Sequence, residues 1–247
     1  GEQAPAASEP PEWWDDPALP WRHRPSRLDL FCLSALGVVA VYALVMLPLR
    51  PVMLGLAPHV LGSLGYRTGL IMTGALASTG DPWWPGVLAL GALLTIKFHW
   101  VYWLAGRLWG REILDVFAKN KSARTRAVYD KAWAVTHRFD VLMLVATFLP
   151  IPLPSGVVLA AVGAAGTSLR RFLVVCGLSS LATSAGYLYL GYRLGEPAVA
   201  VMDAYGRCLW YVSLAIIAGM IALALWRSRR RPAQGAQDVV GIAKGSC

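Results

Sequence analysis

The sequence predicts an all-α integral membrane protein with four transmembrane helices and two opposed re-entrant hairpins in an inverted repeat. Of its 247 residues 56% are hydrophobic and only 15% are charged, whereas soluble domains carry about 25% charged residues. The apolar residues fall in long blocks instead of the alternating or amphipathic patterns of soluble elements. A Tyr/Gly pattern also recurs at a constant offset of 85 residues.

A bilayer core of about 30 Å needs about 20 apolar residues at 1.5 Å rise each. Leu30 to Leu49, Phe172 to Tyr192 and Cys208 to Trp226 are uncharged runs of that length. Trp83 to Gly106 makes a fourth span, although Lys97 and His99 interrupt it.

Two apolar stretches, about 51–79 and 141–169, read as re-entrant hairpins of two half-helices. The first is glycine-rich and broken by Arg67. The second contains Phe148-Leu-Pro-Ile-Pro-Leu-Pro-Ser155, where three alternate prolines remove three backbone donors and stop a helix. Such breaks are tolerated at membrane depth only where they are buried in protein or line a cavity. Charge distribution selects hairpins over full crossings. With both stretches re-entrant, 18 Lys and Arg lie inside, 4 outside (positions 50, 67, 193 and 207) and Lys97 within a span, as the positive-inside rule requires. Both termini are then cytoplasmic.

The membrane domain covers 29–226. Residues 1–28, with six prolines and a Trp13-Trp14-Asp-Asp16 cluster, form a cytoplasmic tail, and 227–247 a basic one. The first apolar run is long enough to span, so it is not a cleavable signal peptide. The cytoplasmic loop 107–140 carries eight basic and four acidic residues and is expected to form an amphipathic surface helix drawn to anionic lipid. Membrane orientation explains the net charge of +9, so no nucleic-acid partner is expected. The four cysteines form no CxxC pair and the four histidines no HxxxH spacing, so neither a metal nor a cofactor is expected.

Tyr102, Gly106 and Gly110 recur as Tyr187, Gly191 and Gly195, and the same offset carries the Pro150–Gly156 break onto Gly65–Ile71. Residues at i, i+4 and i+8 share a helix face, a pattern of close packing through small residues. Each Tyr hydroxyl would border a polar cavity. Because one unit enters from outside and the other from inside, the repeat is inverted, as in many transporters with sites near the midplane.

The string Tyr102-Trp-Leu-Ala-Gly-Arg107-Leu-Trp-Gly110, then Phe148-Leu-Pro150, Gly163-Ala-Ala-Gly166 and Arg170-Arg-Phe172, resembles the DedA family, also called VTT or SNARE-associated-type, over about residues 65–195. The resemblance implies two opposed re-entrant hairpins among transmembrane helices, and movement of undecaprenyl phosphate or phospholipids between leaflets, often driven by the proton motive force. It also implies a bacterial inner membrane. This chain departs from the family at the charges. The usual carboxylate near the first hairpin tip is replaced by Arg67, arginines around the second-hairpin proline by Thr147 and Leu153, and an acid before the Tyr-x3-Gly motif by the Lys97-Phe-His99 region. Proton coupling therefore does not carry over.

Seven residues are candidates for binding an anionic lipid: Arg67, His99, Lys97, Thr147, Ser155, Tyr102 and Tyr187. An ionisable residue within a span costs about 2.5 to 3.5 kcal/mol even on the mildest scale, which makes it a functional candidate. His99 shares the stripe of Tyr102 and Gly106 and is either a cavity residue or a satisfied core histidine. Lys97 points elsewhere and lies about 15 Å along the axis from Arg107. Arg67, whether at a hairpin tip or at the interface, offers a planar fork to two phosphate oxygens. Ser155 is placed to cap a half-helix whose free N–H groups attract phosphate. His59 reads as structural. The leading function is a flippase or scramblase-like lipid transporter, the alternative a non-transporting scaffold or envelope assembly factor. An enzyme is not expected, since no nucleophile motif or spaced His–acid pair appears. A homo-oligomer or an envelope-protein partner stays open.

Overall fold

The computed structural model describes residues 12–16, 19–21 and 23–230. The remaining parts of the two expected tails, 1–11, 17–18, 22 and 231–247 with Cys247, lie outside the described residues. Every regular element among the described residues is helical: a 3-10 turn at Trp13–Asp15, then ten α-helices. They are α1 (Arg27–Leu56), α2 (Pro58–Ser63), α3 (Arg67–Ser78), α4 (Trp84–Thr95), α5 (His99–Trp109), α6 (Glu112–Ala118), α7 (Ala123–Arg138), α8 (Asp140–Ala146), α9 (Ser155–Ala164) and α10 (Leu169–Arg230).

Three segments are long and apolar enough to cross a membrane: Arg27–Leu56, Trp84–Trp109 and Leu169–Val201. Helix α1 begins at a capping box in which Ser26 and Asp29 satisfy each other's backbone N–H. At 30 residues it is about 45 Å long. Leu44 and Leu47, 66% and 61% exposed, stand on an outer apolar face suited to hydrocarbon. The first hairpin does not start at Pro51, as expected; α1 continues through Pro48 and Pro51 to Leu56. A proline withholds only its own N–H, a loss that membrane helices absorb, so the hairpin begins at Pro58.

The span Trp84–Trp109 is broken in the middle. Between α4 and α5, Ile96–Phe98 form a tighter turn in which His99 N–H bonds to Ile96 C=O and Val101 N–H to Phe98 C=O. The loop 107–140 holds two helices where one was expected, α6 and α7, tied by the ion pairs Arg126–Asp115 and Arg111–Asp130. Between α8 and α9 the prolines at 150, 152 and 154 keep Phe148–Pro154 out of helix, as their missing donors require. Helix α10 is interrupted at Gly195, whose φ of 62° and ψ of −150° leave the helical region. Gly110, which ends α5, adopts nearly the same conformation, φ 53° and ψ −132°. Both are glycine terminators, so Gly110 and Gly195 drop out of the expected packing stripe.

Glycines Gly106 and Gly191 do pack as expected. A Cβ on Gly106 would lie 1.8 Å from the Ala160 carbonyl oxygen, and one on Gly191 1.9 Å from that of Ile71. The facing glycines behave alike: Gly163 meets the Trp103 carbonyl at 2.0 Å and Gly74 the Leu188 carbonyl at 1.9 Å. Helix α5 thus packs on α9 as α10 packs on α3. Long-helix positions correspond at an offset of 85, but hairpin positions 71 and 74 correspond to 160 and 163 at 89. This corrects the expected mapping of Pro150–Gly156 onto Gly65–Ile71, because 35 residues separate positions 71 and 106 and only 31 separate 160 and 191.

Polar clasps close both hairpins at their open ends. His59 at the start of α2 pairs with Asp81 beyond α3, which gives the expected structural role of His59 a partner. At the other hairpin, the Thr167 hydroxyl donates to Asp140 at 2.8 Å. Together with the Val141 N–H, that bond holds the Asp140 carboxyl below its ordinary value of 3.8. Depressed carboxylates add stability above their unfolded pKa and lose it as pH falls through the folded one. Thr167→Val is therefore expected to lower stability by about 0.5–1 kcal/mol at neutral pH, the worth of one charge-assisted bond at a half-buried site. Thermal unfolding should show that difference shrinking below about pH 4; a difference constant down to pH 3 would assign the loss to packing.

The stretch before α1 contributes to the core. Trp21 is 1% exposed and packs 6.0 Å from Trp109, whose indole N–H donates to Asp29 at 2.9 Å.

Candidate functional site

The broken middle of Trp84–Trp109, the start of α3 and the start of α9 converge on a cavity of about 180 Å³. Five of the seven expected binding residues line it: Arg67, His99, Thr147, Ser155 and Tyr187. Local chain breaks account for four of them. Arg67 and Ser155 open α3 and α9, Thr147 follows the last turn of α8, and His99 restarts the helix after Ile96–Phe98. Residues at helix ends reach a cavity that a continuous helix would have filled.

The Arg67 guanidinium sits 5.3 Å from the Tyr187 ring centre, within cation–π range. The His99 ring stacks on Phe148 at 5.5 Å. Thr147 and Thr183 turn their hydroxyls back to Leu144 C=O and Ser179 C=O, leaving oxygen lone pairs for a ligand. Among the described residues the side chains of Arg67, His99, Ser155, Ser184 and Tyr187 have no hydrogen-bond partner. Arg67 and Ser155 are exposed at the cavity mouth while Ser184 is buried beside it, so their donors and acceptors are open to a guest.

Three expectations are corrected by geometry. Ser155 is the first helical residue of α9 and not its cap; Pro154 holds that position and no side chain caps the helix. The backbone N–H groups at Ser155 and Gly156 precede the first intrahelical bonds, made by Val157 and Val158 to Pro154 C=O, so the free donors at this helix start belong to the main chain. Lys97 does not line the cavity. Its ammonium donates to Leu64 C=O at 3.2 Å and Leu94 C=O at 3.1 Å, the carbonyl ends of α2 and α4, and lies 4.8 Å from the Tyr42 ring. A cation there neutralises two helix C-termini. Lys97→Met is accordingly expected to lower stability by about 1–3 kcal/mol by orphaning the Leu64 carbonyl, seen as an earlier thermal transition in detergent; Leu94 C=O keeps its main-chain donors. Unchanged stability with altered lipid handling would return Lys97 to the site.

Tyr102 also lies outside the cavity. Its ring packs against Gly156, whose Cβ would come within 3.1 Å of it, and against Phe117 at 6.0 Å. At the offsets set by the glycine crossings, Gly156 corresponds to Arg67 and Tyr102 to Tyr187. One crossing has an arginine on its tyrosine; at the other the tyrosine fills the room that the missing side chain leaves. The cavity is thereby one-sided in charge.

Sequence reasoning missed Thr95, Thr183 and Ser184, which also line it. The repeat held the signal, since Ser184 stands 85 residues after His99 and Ser180 85 after Thr95. Of the corresponding hydroxyls, Thr95 bonds back within α4 to Gly91 C=O, while Ser180 reaches across from α10 to Ala92 C=O of α4 at 2.7 Å. Among the described residues no three His, Cys, Asp or Glu side chains converge as metal ligands would.

Comparison with protein-family models, curated proteins and solved structures gives no match.

Proposed function

We propose that this chain is a multi-pass protein of the bacterial cytoplasmic membrane, of the DedA type, that moves an anionic phospholipid or polyprenyl phosphate between leaflets. In this reading four helices cross, both termini are cytoplasmic, and α2–α3 and α8–α9 are re-entrant hairpins of an inverted repeat. The clasps at His59–Asp81 and Asp140–Thr167 support it, because each brings both ends of one hairpin to the same level. The matched crossings at Gly106/Ala160 and Gly191/Ile71 support the repeat. Cys208–Trp226, within α10, supplies the fourth crossing.

The observation that carries the transport reading is the polar cavity between the two hairpin tips, into which Arg67, His99, Ser155, Ser184 and Tyr187 bring side chains with no hydrogen-bond partner among the described residues. A phosphate entering a bilayer must replace its hydration with fixed donors. Arg67 supplies up to five N–H donors, His99, Ser155, Ser184 and Tyr187 add neutral ones, and the start of α9 adds main-chain N–H groups. A volume of about 180 Å³ admits a headgroup but not an acyl chain, so the chains stay in the bilayer while the head crosses. The lining includes no carboxylate. Exchange therefore runs down the lipid's own gradient without a proton couple on an acid.

Leaflet exchange of fluorescent phosphatidylglycerol in proteoliposomes tests this function. Arg67→Ala is expected to slow exchange at least about tenfold, the worth of one charge-assisted contact, with a thermal midpoint close to wild type because Arg67 is exposed. Wild-type protein that exchanges no lipid would favour the scaffold; unchanged exchange in Arg67→Ala would remove the site.

A further inference from the structure

A second and larger cavity, of about 590 Å³, opens beside the first between the last turns of α1 and the start of α3. Leu47, Pro51 and Leu54 give it an apolar wall, while Arg50 and Arg67 give it two guanidinium groups. Arg50 lies 4.4 Å over the ring of Tyr66, which also lines the cavity. The Lys97 ammonium is 5.9 Å from the centre of the same ring. Neither arginine has an ion-pair partner among the described residues. Arg67 and Gly65 belong to both cavities, so the two share a border.

The geometry points to a phosphate-headgroup site on Arg50 and Arg67, filled sideways from the bilayer by a membrane lipid before its head enters the inner cavity. Two planar forks on one cavity match a phosphomonoester, which offers oxygens to both. Stacking on Tyr66 holds the Arg50 fork at low entropic cost while leaving its N–H edges free. The occupant is a lipid because the wall beside the forks is apolar and runs into the exposed outer face of α1 at Leu44 and Leu47. Free phosphate would gain nothing from Leu47 and Pro51, whereas an acyl chain would lie along them. Capture at this site stands on the cavity itself; its role as the entrance rests on the transport reading above.

Photo-crosslinking of the full-length protein in detergent with a diazirine-bearing phosphatidic acid separates these statements. Label is expected on peptides containing residues 47–54 and 66–68, displaced by unlabelled phosphatidic acid and not by phosphatidylcholine or inorganic phosphate at equal concentration. Arg50→Gln should weaken displacement about tenfold or more, as loss of one charged fork predicts, and Arg50→Lys should restore part of it. In proteoliposomes Arg50→Gln should slow exchange at low anionic-lipid content and recover at high content, whereas Arg67→Ala should stay slow at both. Displacement by inorganic phosphate as strong as by the lipid would make the site a free-phosphate site and overturn the lipid assignment. Unchanged label and displacement in Arg50→Gln, with wild-type folding, would overturn the site. Wild-type label without leaflet exchange would refute only the transport reading; exchange without label would overturn the capture site and leave the transport reading standing.

Discussion

Gly106→Ala and Gly191→Ala are each expected to abolish a stable fold, although each adds a single methyl group. The new Cβ would sit 1.8 Å from the Ala160 carbonyl oxygen in one case and 1.9 Å from that of Ile71 in the other. In both the obstacle is backbone, which no rotamer change can remove. Ordinary overpacking costs about 1–3 kcal/mol. Here whole helices must part, which strips contact from the entire α5–α9 or α10–α3 interface, so the loss should meet or exceed the upper end of that range. Interfaces built on small residues are the principal source of helix association in a bilayer, where apolar transfer supplies little. Gly177→Ala and Gly186→Ala are the internal controls, since nothing lies within 4 Å of either added Cβ. They should be neutral, or stabilising by up to about 0.5–1 kcal/mol through helix propensity. Monodisperse elution and a thermal midpoint for each variant decide it. A wild-type midpoint in Gly106→Ala or Gly191→Ala would mean that the close crossings do not exist.

These crossings were legible before any coordinates because a close helix approach demands a residue without a side chain, and the 85-residue offset made the demand twice. The prolines at 150, 152 and 154 were legible for a similar reason, a chemical prohibition that packing cannot repeal. Pro48 and Pro51 show the limit of that logic, since each withholds one donor and α1 still runs to Leu56. Arg67, His99, Thr147 and Ser155, which line the cavity, were singled out because polar groups beside chain breaks stand out against an apolar background, and Tyr187 because the 85-residue offset matched it to Tyr102. Lys97 stood out equally and proved to serve two carbonyl ends instead. Partner identity depends on where α2 ends relative to α4, a tertiary fact with no local signature. Tyr102 misled because the repeat equates it with Tyr187, while the residue that separates their fates is Gly156 on another helix. Arg50 drew notice only as an orientation charge; its cavity exists because α1 outlasts its prolines. Ser184 and Thr183 passed unremarked because hydroxyls are common in membrane helices, where they usually bond their own backbone, as Thr183 does.

In intact cells a membrane-impermeant maleimide should label Thr79→Cys and fail to label Lys121→Cys or Ser168→Cys, in a background with Cys208 and Cys247 replaced by serine. All three positions are distinct tests of one topology. Thr79 and Ser168 are exposed, each just beyond the second half-helix of a hairpin, and Lys121 lies in the exposed turn between α6 and α7. The 26-residue span Trp84–Trp109 must separate residue 79 from residue 121. Residue 168 then decides between hairpin and crossing. The Thr167–Asp140 bond fastens the end of α9 to the start of α8, and a Cβ on Gly166 would lie 3.9 Å from the Arg107 guanidinium at the end of α5. Both contacts hold residue 168 at the level of the basic 107–140 region, so its reactivity should follow that of Lys121. The positive-inside rule assigns that level to the cytoplasm, through eight basic residues in 107–140 together with Arg170 and Arg171. Permeabilisation should render Lys121→Cys and Ser168→Cys reactive together, which excludes burial as the cause of protection. Residues 121 and 168 labelling from opposite faces would turn 141–169 into a crossing. The inner cavity would then lose one of its two hairpins, and lipid transport by opposed half-helices would have no structural basis in this chain.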